Sequence, residues 1–256
     1  PPPPRCAPAS VAACAPRVLL RTDAYAILDK PPDARMDGEH CAVTMNTLAK
    51  SWLGAVPKFC HRLDYGTSGV LVAAFSRAAA AAAAGAFERR EATKEYLGVV
   101  AGRVAERFAV DLPLGPVAAG DFRVGVGGDR AKPASTEVRP IAPCEYRGLP
   151  CTKVALRPRT GRRHQLRVHL AASGFPLVGD ATYDAGPTAD APRMMLHAFR
   201  LALPVGGDRW LVARSADPFP IAAGALEPRV APPLAGAWAG VVEGAERARA
   251  QFDAVL

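Results

Sequence analysis

The sequence predicts an α+β fold on a largely antiparallel sheet, and three observations carry that prediction. Between residues 111 and 142, short β-like pieces are divided by glycine and proline, the pattern of consecutive hairpins. Apolar runs at 70–75, 95–102 and 151–157 have the length of buried strands. Helix signals are fewer, and most fall outside this strand-rich middle half.

Taken in order, residues 1–16 are rich in Pro and Ala with little to pack, so they are expected to form a disordered or extended tail ahead of one catalytic domain, 17–256. Residues 18–29 mix β-branched and apolar side chains into a strand that Lys30-Pro31-Pro32 ends. Residues 44–53 suit a short helix. The alanine run at 77–90 has strong helix propensity despite Gly85 and is expected on the surface. Thr160 is expected to cap a helix over 161–173, which stops near Gly174 and Pro176. Residues 222–233 read as loop and 235–256 as a last helix.

A chain of 256 residues with 50% hydrophobic and 22% charged residues can bury a sizeable core. No apolar run approaches the roughly 18 to 20 residues that cross a bilayer. Six cysteines without a C-x-x-C pair suggest neither a zinc site nor a disulfide framework. The first 22 residues carry Arg5, Arg17 and Arg21 and no acid, but lack the serine content and amphipathicity of a transit peptide. The expected compartment is cytoplasmic or organellar, not secretory. A formal charge of +8, from 32 Lys and Arg against 24 Asp and Glu, fits a polyanionic partner or simply a basic soluble protein.

Three strings carry chemistry. The first, HRLDYGTSG (61–69), stands just before the buried run at Val70, where a loop presents side chains at the end of a sheet. Its Asp64 suits a nucleophile or general base if a neighbouring cation keeps it ionised. Alone, it suits equally the commoner role of organising a turn with Gly66, Thr67 and Ser68. The second, Lys94-Glu95-Tyr96, enters a strand whose alternation places Lys94 and Tyr96 on one face and Glu95 on the other. Tyr96 there either stacks on a base or packs in the core with its hydroxyl at the rim. The third runs from Arg157 to His169 and holds five arginines and two histidines at an expected strand-to-helix junction. A helix start offers N–H groups to phosphate and the arginines add charge-assisted donors. Arg163 and Arg167, four apart, would share a helix face, an arrangement that favours a nearby anion; a solvated basic face is the alternative.

In this order and spacing, HRLDYGTSG, KEYLGVVAG and RTGRRHQLRVHLAASGFPLVGDATYD resemble the signature motifs of the RluA-like branch of RNA pseudouridine synthases. MMLHAFRL (194–201) resembles that family's last motif and DPFP (217–220) the end of its catalytic core. The resemblance spans about residues 23–220 and departs from the family in the loop PPDARMDG, where Pro-x-Gly is usual. It implies a mixed, mostly antiparallel sheet in two halves with a central active-site cleft. The implied reaction needs no cofactor: N1–C1′ of a uridine is cleaved, the uracil turns, and C5 rejoins the sugar.

The resemblance also assigns roles. Asp64 would be the catalytic carboxylate, Tyr96 the residue that stacks on uracil, Arg167 the basic partner of the aspartate, and Leu196 an apolar packing residue in the pocket. Arg62 would fill the gap left by the flipped base, with Arg162, Arg163, His164 and Gln165 holding the RNA. The expected partner is tRNA or rRNA, bound by a monomer with no membrane attachment. An inactive RNA-binding protein of the same fold is the main rival. A nucleoside hydrolase is disfavoured by the lack of an evident second carboxylate.

Overall fold

The computed structural model describes residues 14–15, 17–38, 41–118, 120–128, 130–222, 224–226 and 234–254. The expected tail over 1–16 therefore lies, except for Cys14 and Ala15, outside the described residues. Along the chain run β1 (Val18–Arg21), β2 (Tyr25–Lys30), α1 (Met45–Leu53), β3 (Lys58–Phe59), β4 (Ser68–Ala74), α2 (Arg77–Glu88) and β5 (Thr93–Ala101). Then come β6 (Phe108–Val110), β7 (Leu114–Pro116), β8 (Val124–Val126), β9 (Thr136–Tyr146), β10 (Leu149–Pro158) and α3 (Gln165–Ala172). β11 (Leu196–Pro204), β12 (Arg209–Arg214), β13 (Ile221–Ala222), β14 (Ala225–Leu226), β15 (Trp238–Glu243) and α4 (Ala245–Asp253) complete it. Among the described residues no helix is long and apolar enough to cross a membrane.

Two compact units interleave in sequence. The first comprises Pro1–Lys94, Ala198–Asp217 and Val230–Leu256; the second comprises Glu95–His197 and Pro218–Arg229. In the first unit the strand order is β1-β2-β4-β11-β12-β15, with β3 also on β4. β2 and β4 are buried along their whole length, which explains the apolar runs Tyr25–Leu28 and Val70–Ala74 within them. α2 covers this sheet through Ala83 and Ala86, packed among Ile27, Val72, Leu201 and Leu211. Ser76 caps it by accepting from the Ala79 N–H at 3.1 Å. α1 opens with a capping box, Thr44 and Thr47 each bonding the other's backbone N–H.

The second unit pairs β5, β10 and β9 antiparallel, adds β6 to β9, and adds the small β13–β14 pair beyond it. Arg147 and Gly148 both take positive φ, 50° and 75°, the two-residue turn whose twist suits the β9–β10 hairpin. The core of this unit joins Val100, Val154 and Leu156 to Leu166 and Leu170 of α3.

Four expectations change. The strand expected over 18–29 is a hairpin: the Thr22 hydroxyl accepts from Tyr25 N–H at 2.9 Å and turns β1 onto β2. The expected helix at 235–256 begins as β15, because the alternating Trp-Ala-Gly-Val-Val segment finds the edge of β12 and only the charged stretch after Gly244 coils. The loop expected at 222–233 contains β14, and its residues 227–233 lie outside the described residues. The helix expected from Gly161 starts at Gln165, after His164 in a left-handed conformation with φ 53°. Its intended cap, Thr160, instead donates its hydroxyl to Gln165 Oε1 at 2.7 Å, so residues 160–164 fold back as a loop.

Gly69 marks where β4 comes closest to β11. Its φ is +108°, and a Cβ there would stand 2.2 Å from the Ala198 carbonyl oxygen. Gly69→Ala is expected to cost about 3 kcal/mol or more in chemical unfolding. A loss under about 1 kcal/mol would show that the two strands separate easily.

Candidate active site

The first unit positions the HRLDYGTSG loop by contacts on both sides of Asp64. Upstream, His61 accepts at Nε2 from the Val72 N–H at 3.0 Å, tying the loop to the middle of β4, and its ring lies 4.7 Å from that of Phe87. Burial, with the Lys94 charge assisting, pulls the His61 pKa down to about 4, while a hydrogen bond to the Arg62 backbone opposes the shift. The ring is therefore neutral and can serve as an acceptor. Downstream, the Thr67 N–H bonds the Asp64 carbonyl at 3.1 Å and closes a turn. The buried Lys30 Nζ donates to the carbonyls of Tyr65 at 2.9 Å, Thr67 at 2.8 Å and Pro31 at 3.0 Å. Asp64 itself is partly buried and Arg62 is exposed, with its guanidinium 3.4 Å from Asp37. Of the two alternatives in the sequence, the turn is observed, and it leaves the Asp64 side chain partly exposed.

The second unit gathers the remaining candidates. Tyr96 sits opposite Leu156 in the β5–β10 ladder and packs partly buried on the core that contains Leu196 and Leu166. Glu95, on the other face, is fully buried and accepts from Arg157 Nε at 2.7 Å. Arg167 is 8% exposed and gives two parallel hydrogen bonds to Asp180, Nε to Oδ2 and Nη2 to Oδ1, each 2.7 Å. The ring of Tyr183 lies under the same guanidinium, 4.9 Å away.

The arginine string is rearranged relative to the sequence reading. Arg163 precedes α3, so it shares no helix face with Arg167, and the like-charge pairing falls away. Arg157, Arg159 and Arg167 face Glu95, Glu137 and Asp180, acids remote in sequence, and this leaves the positive excess on Arg162 and the exposed Arg163. Arg162 Nε also donates to the Pro133 carbonyl at 3.1 Å. Gln165 is buried: its oxygen takes the Thr160 hydroxyl and the Arg162 N–H, and its nitrogen donates to Ser135 O and Thr136 Oγ1. It shapes the loop from inside. His164 Nδ1 lies 2.8 Å from the Tyr183 hydroxyl, and that hydroxyl accepts from the Val124 N–H at 2.9 Å.

Residues 24–172 match the family model described as RNA pseudouridylate synthase. The chain belongs to that family. It is 36% identical over 223 residues to RNA pseudouridylate synthase domain-containing protein 1 of Mus musculus, covering 79% of this chain and 72% of that one. It is 36% identical over 194 residues to the dual-specificity RNA pseudouridine synthase RluA of Escherichia coli strain K12, covering 73% of this chain and 85% of the relative. A solved structure of human RNA pseudouridylate synthase domain containing 1 aligns with a TM-score of 0.77 at 30% identity over 98% of both chains. The α+β pseudouridine synthase fold and an isomerase acting on RNA follow from that membership.

Sequence reasoning missed three residues that hold the candidate site residues in place. Lys30 was visible only as the end of a strand. Asp180 and Tyr183 stand inside the quoted string GDATYD, but no spacing rule connects them to Arg167 or His164.

His61 makes stability pH-dependent. Its unfolded form takes a proton near the ordinary value of 6.5 and its folded form only near about 4. The contribution is whole above pH 6.5 and is lost as pH falls toward 4, by up to about 3 kcal/mol. Urea unfolding between those pH values should show this loss, and His61→Gln should flatten it. An unchanged slope in the variant would remove His61 as the cause.

Proposed function

We propose that this chain isomerises specific uridines of tRNA or rRNA to pseudouridine as a monomer, without a cofactor, with Asp64 as the catalytic carboxylate. The observation that supports Asp64 is the support around it: His61 and Lys30 fix the loop on either side of a carboxylate that is only partly buried. A fixed carboxylate suits a sugar carbon that gains positive charge as N1–C1′ breaks, whether it attacks C1′ or removes the C2′ proton. Tyr96, at the rim of an apolar core that includes Leu196, has the form of a platform for uracil. Arg167 is the family's basic partner of the carboxylate.

The target uridine leaves its stack, at a cost of a few kcal/mol, and the exposed Arg62 fills its place. Arg162 and Arg163 hold phosphates and give affinity without base readout. His164 and Gln165 act with them, Gln165 by setting the shape of the loop.

The deciding assay is release of tritium from RNA labelled at uridine C5. Wild-type protein should release it, and Asp64→Asn should lower the rate at least about a thousandfold while still binding RNA. A fully active Asp64→Asn would refute the assignment, and free uracil as product would indicate a hydrolase.

The two loop arginines make a separate prediction. Replacing both Arg162 and Arg163 by Ala should reduce the slope of log affinity against log salt by about 1.5 to 2. Filter binding at several salt concentrations reads it, and an unchanged slope would move the phosphate contacts elsewhere.

A further inference from the structure

The six lysines of the chain fall into three groups. Lys50, Lys58 and Lys132 are exposed. Lys30 and Lys153 are buried, 1% and 8% exposed, and each ammonium meets carbonyl oxygen: Lys30 donates to three carbonyls and Lys153 to that of Phe219 at 2.8 Å. Lys94 belongs with neither. It is partly buried near the start of β5, and among the described residues its ammonium makes no hydrogen bond and no ion pair.

The acids nearest to Lys94 in the chain are already engaged. Glu91 accepts from Arg89 Nε at 2.8 Å and Nη2 at 3.0 Å, and Glu95 lies on the other face of β5 and accepts from Arg157 at 2.7 Å. The neighbour that Lys94 does influence is no acceptor for it. Its charge helps to keep His61 neutral, and His61 is tied to β4 just upstream of Arg62 and Asp64. Burial holds the pKa of Lys94 itself below the usual lysine value. An ammonium drawn from water without an acceptor lowers stability, and an anion that arrives with a ligand would offset that cost. For a protein that acts on RNA, the phosphate is the full negative charge on offer, and a compact ammonium suits its oxygens. Tyr96 stands two residues further along β5, where alternation gives its side chain and that of Lys94 the same side of the strand.

We propose that Lys94 is a substrate-binding residue whose ammonium holds a backbone phosphate beside the target uridine. The proposal rests on the reading of Tyr96 as the uracil platform for where that phosphate lies. The rival ligand is the negative charge that gathers on uracil as N1–C1′ breaks. That charge exists only in the transition state, whereas the phosphate is present throughout, so the two act on different kinetic constants.

The test uses the full chain and RNA labelled with tritium at uridine C5, purified from cells that lack the gene. Lys94→Met keeps the length of the side chain and removes the charge. It should unfold at the same urea concentration as wild type or a higher one, because a partly buried cation without an acceptor is gone. The same variant should raise KM about tenfold and move kcat by less than about twofold, as expected for loss of one charge-assisted contact. The slope of log affinity against log salt should fall by about 1. Lys94→Arg, which keeps the charge, should retain the wild-type slope and bring KM back to within about threefold. Filter binding to Asp64→Asn protein, with and without Lys94→Met, reads the contact apart from catalysis, so a wrong catalytic assignment leaves this result standing. Lys94→Met with an unchanged salt slope and an RNA affinity within about twofold of wild type would overturn the proposal. A fall in kcat alone, with KM and slope unchanged, would also overturn it and place the ammonium on the departing base.

Discussion

Lys30 brings an ammonium group into the interior of the first unit, and the loop that carries Asp64 takes its shape from what that ammonium requires. A buried cation must be met by oxygen, and here the carbonyls of Pro31, Tyr65 and Thr67 meet it. Two of these three, Tyr65 and Thr67, belong to the turn that begins at Asp64. The charge thus sets the path of residues 65–67, and the Asp64–Thr67 turn is the conformation that satisfies it. The preceding residue of β2 carries the complementary arrangement: Asp29 is buried and accepts from Arg17 and from Ser215, the latter at 2.9 Å. The end of β2 is a polar anchor within an otherwise apolar strand, and it fixes the base of the loop that carries Asp64.

The second unit solves the same problem with an anion. Arg167 is nearly buried, and Asp180 meets it edge to edge with two bonds while the ring of Tyr183 covers a face. This geometry fixes the plane of the guanidinium as well as its position, which a lysine could not do. Asp180 is itself held, accepting from the Thr182 N–H at 3.1 Å, and Gly179 before it turns with φ +80° so close to Arg193 that a Cβ would lie 2.0 Å from its carbonyl oxygen. The string GDATYD is therefore a rigid bracket for one side chain.

Much of the fold was legible in the sequence because local signals agreed with the tertiary result. Thr44 before α1, Ser76 before the alanine run, and the continuous apolar stretch of β4 each specify one local structure, and packing confirms it. The failures share a cause: a specific side-chain or edge contact overrode the local propensity. Thr160 has the chemistry of a cap, but Gln165 folds back to take its hydroxyl. Trp238 to Glu243 lies in a segment read as helix, but the open edge of β12 takes it as a strand. The candidate site divided in the same way. Asp64 and Tyr96 were proposed from their motifs, whereas Lys30, Asp180 and Tyr183 act through contacts that no spacing encodes.

The displaced start of α3 changes the physics expected of the arginine loop. A helix beginning at Gly161 would have aimed free N–H groups and a positive dipole end at the position of Arg162 and Arg163. Instead the Arg162 N–H is already spent on Gln165 Oε1 at 3.0 Å, and α3 begins behind a left-handed His164. The proposed attraction for phosphate then rests on the long side chains of Arg162 and Arg163, whose charge is screened by salt. Backbone donors would have fixed an anion at one point. Two guanidinium groups on a loop would instead follow a backbone of variable path, if the proposed phosphate contacts are made there.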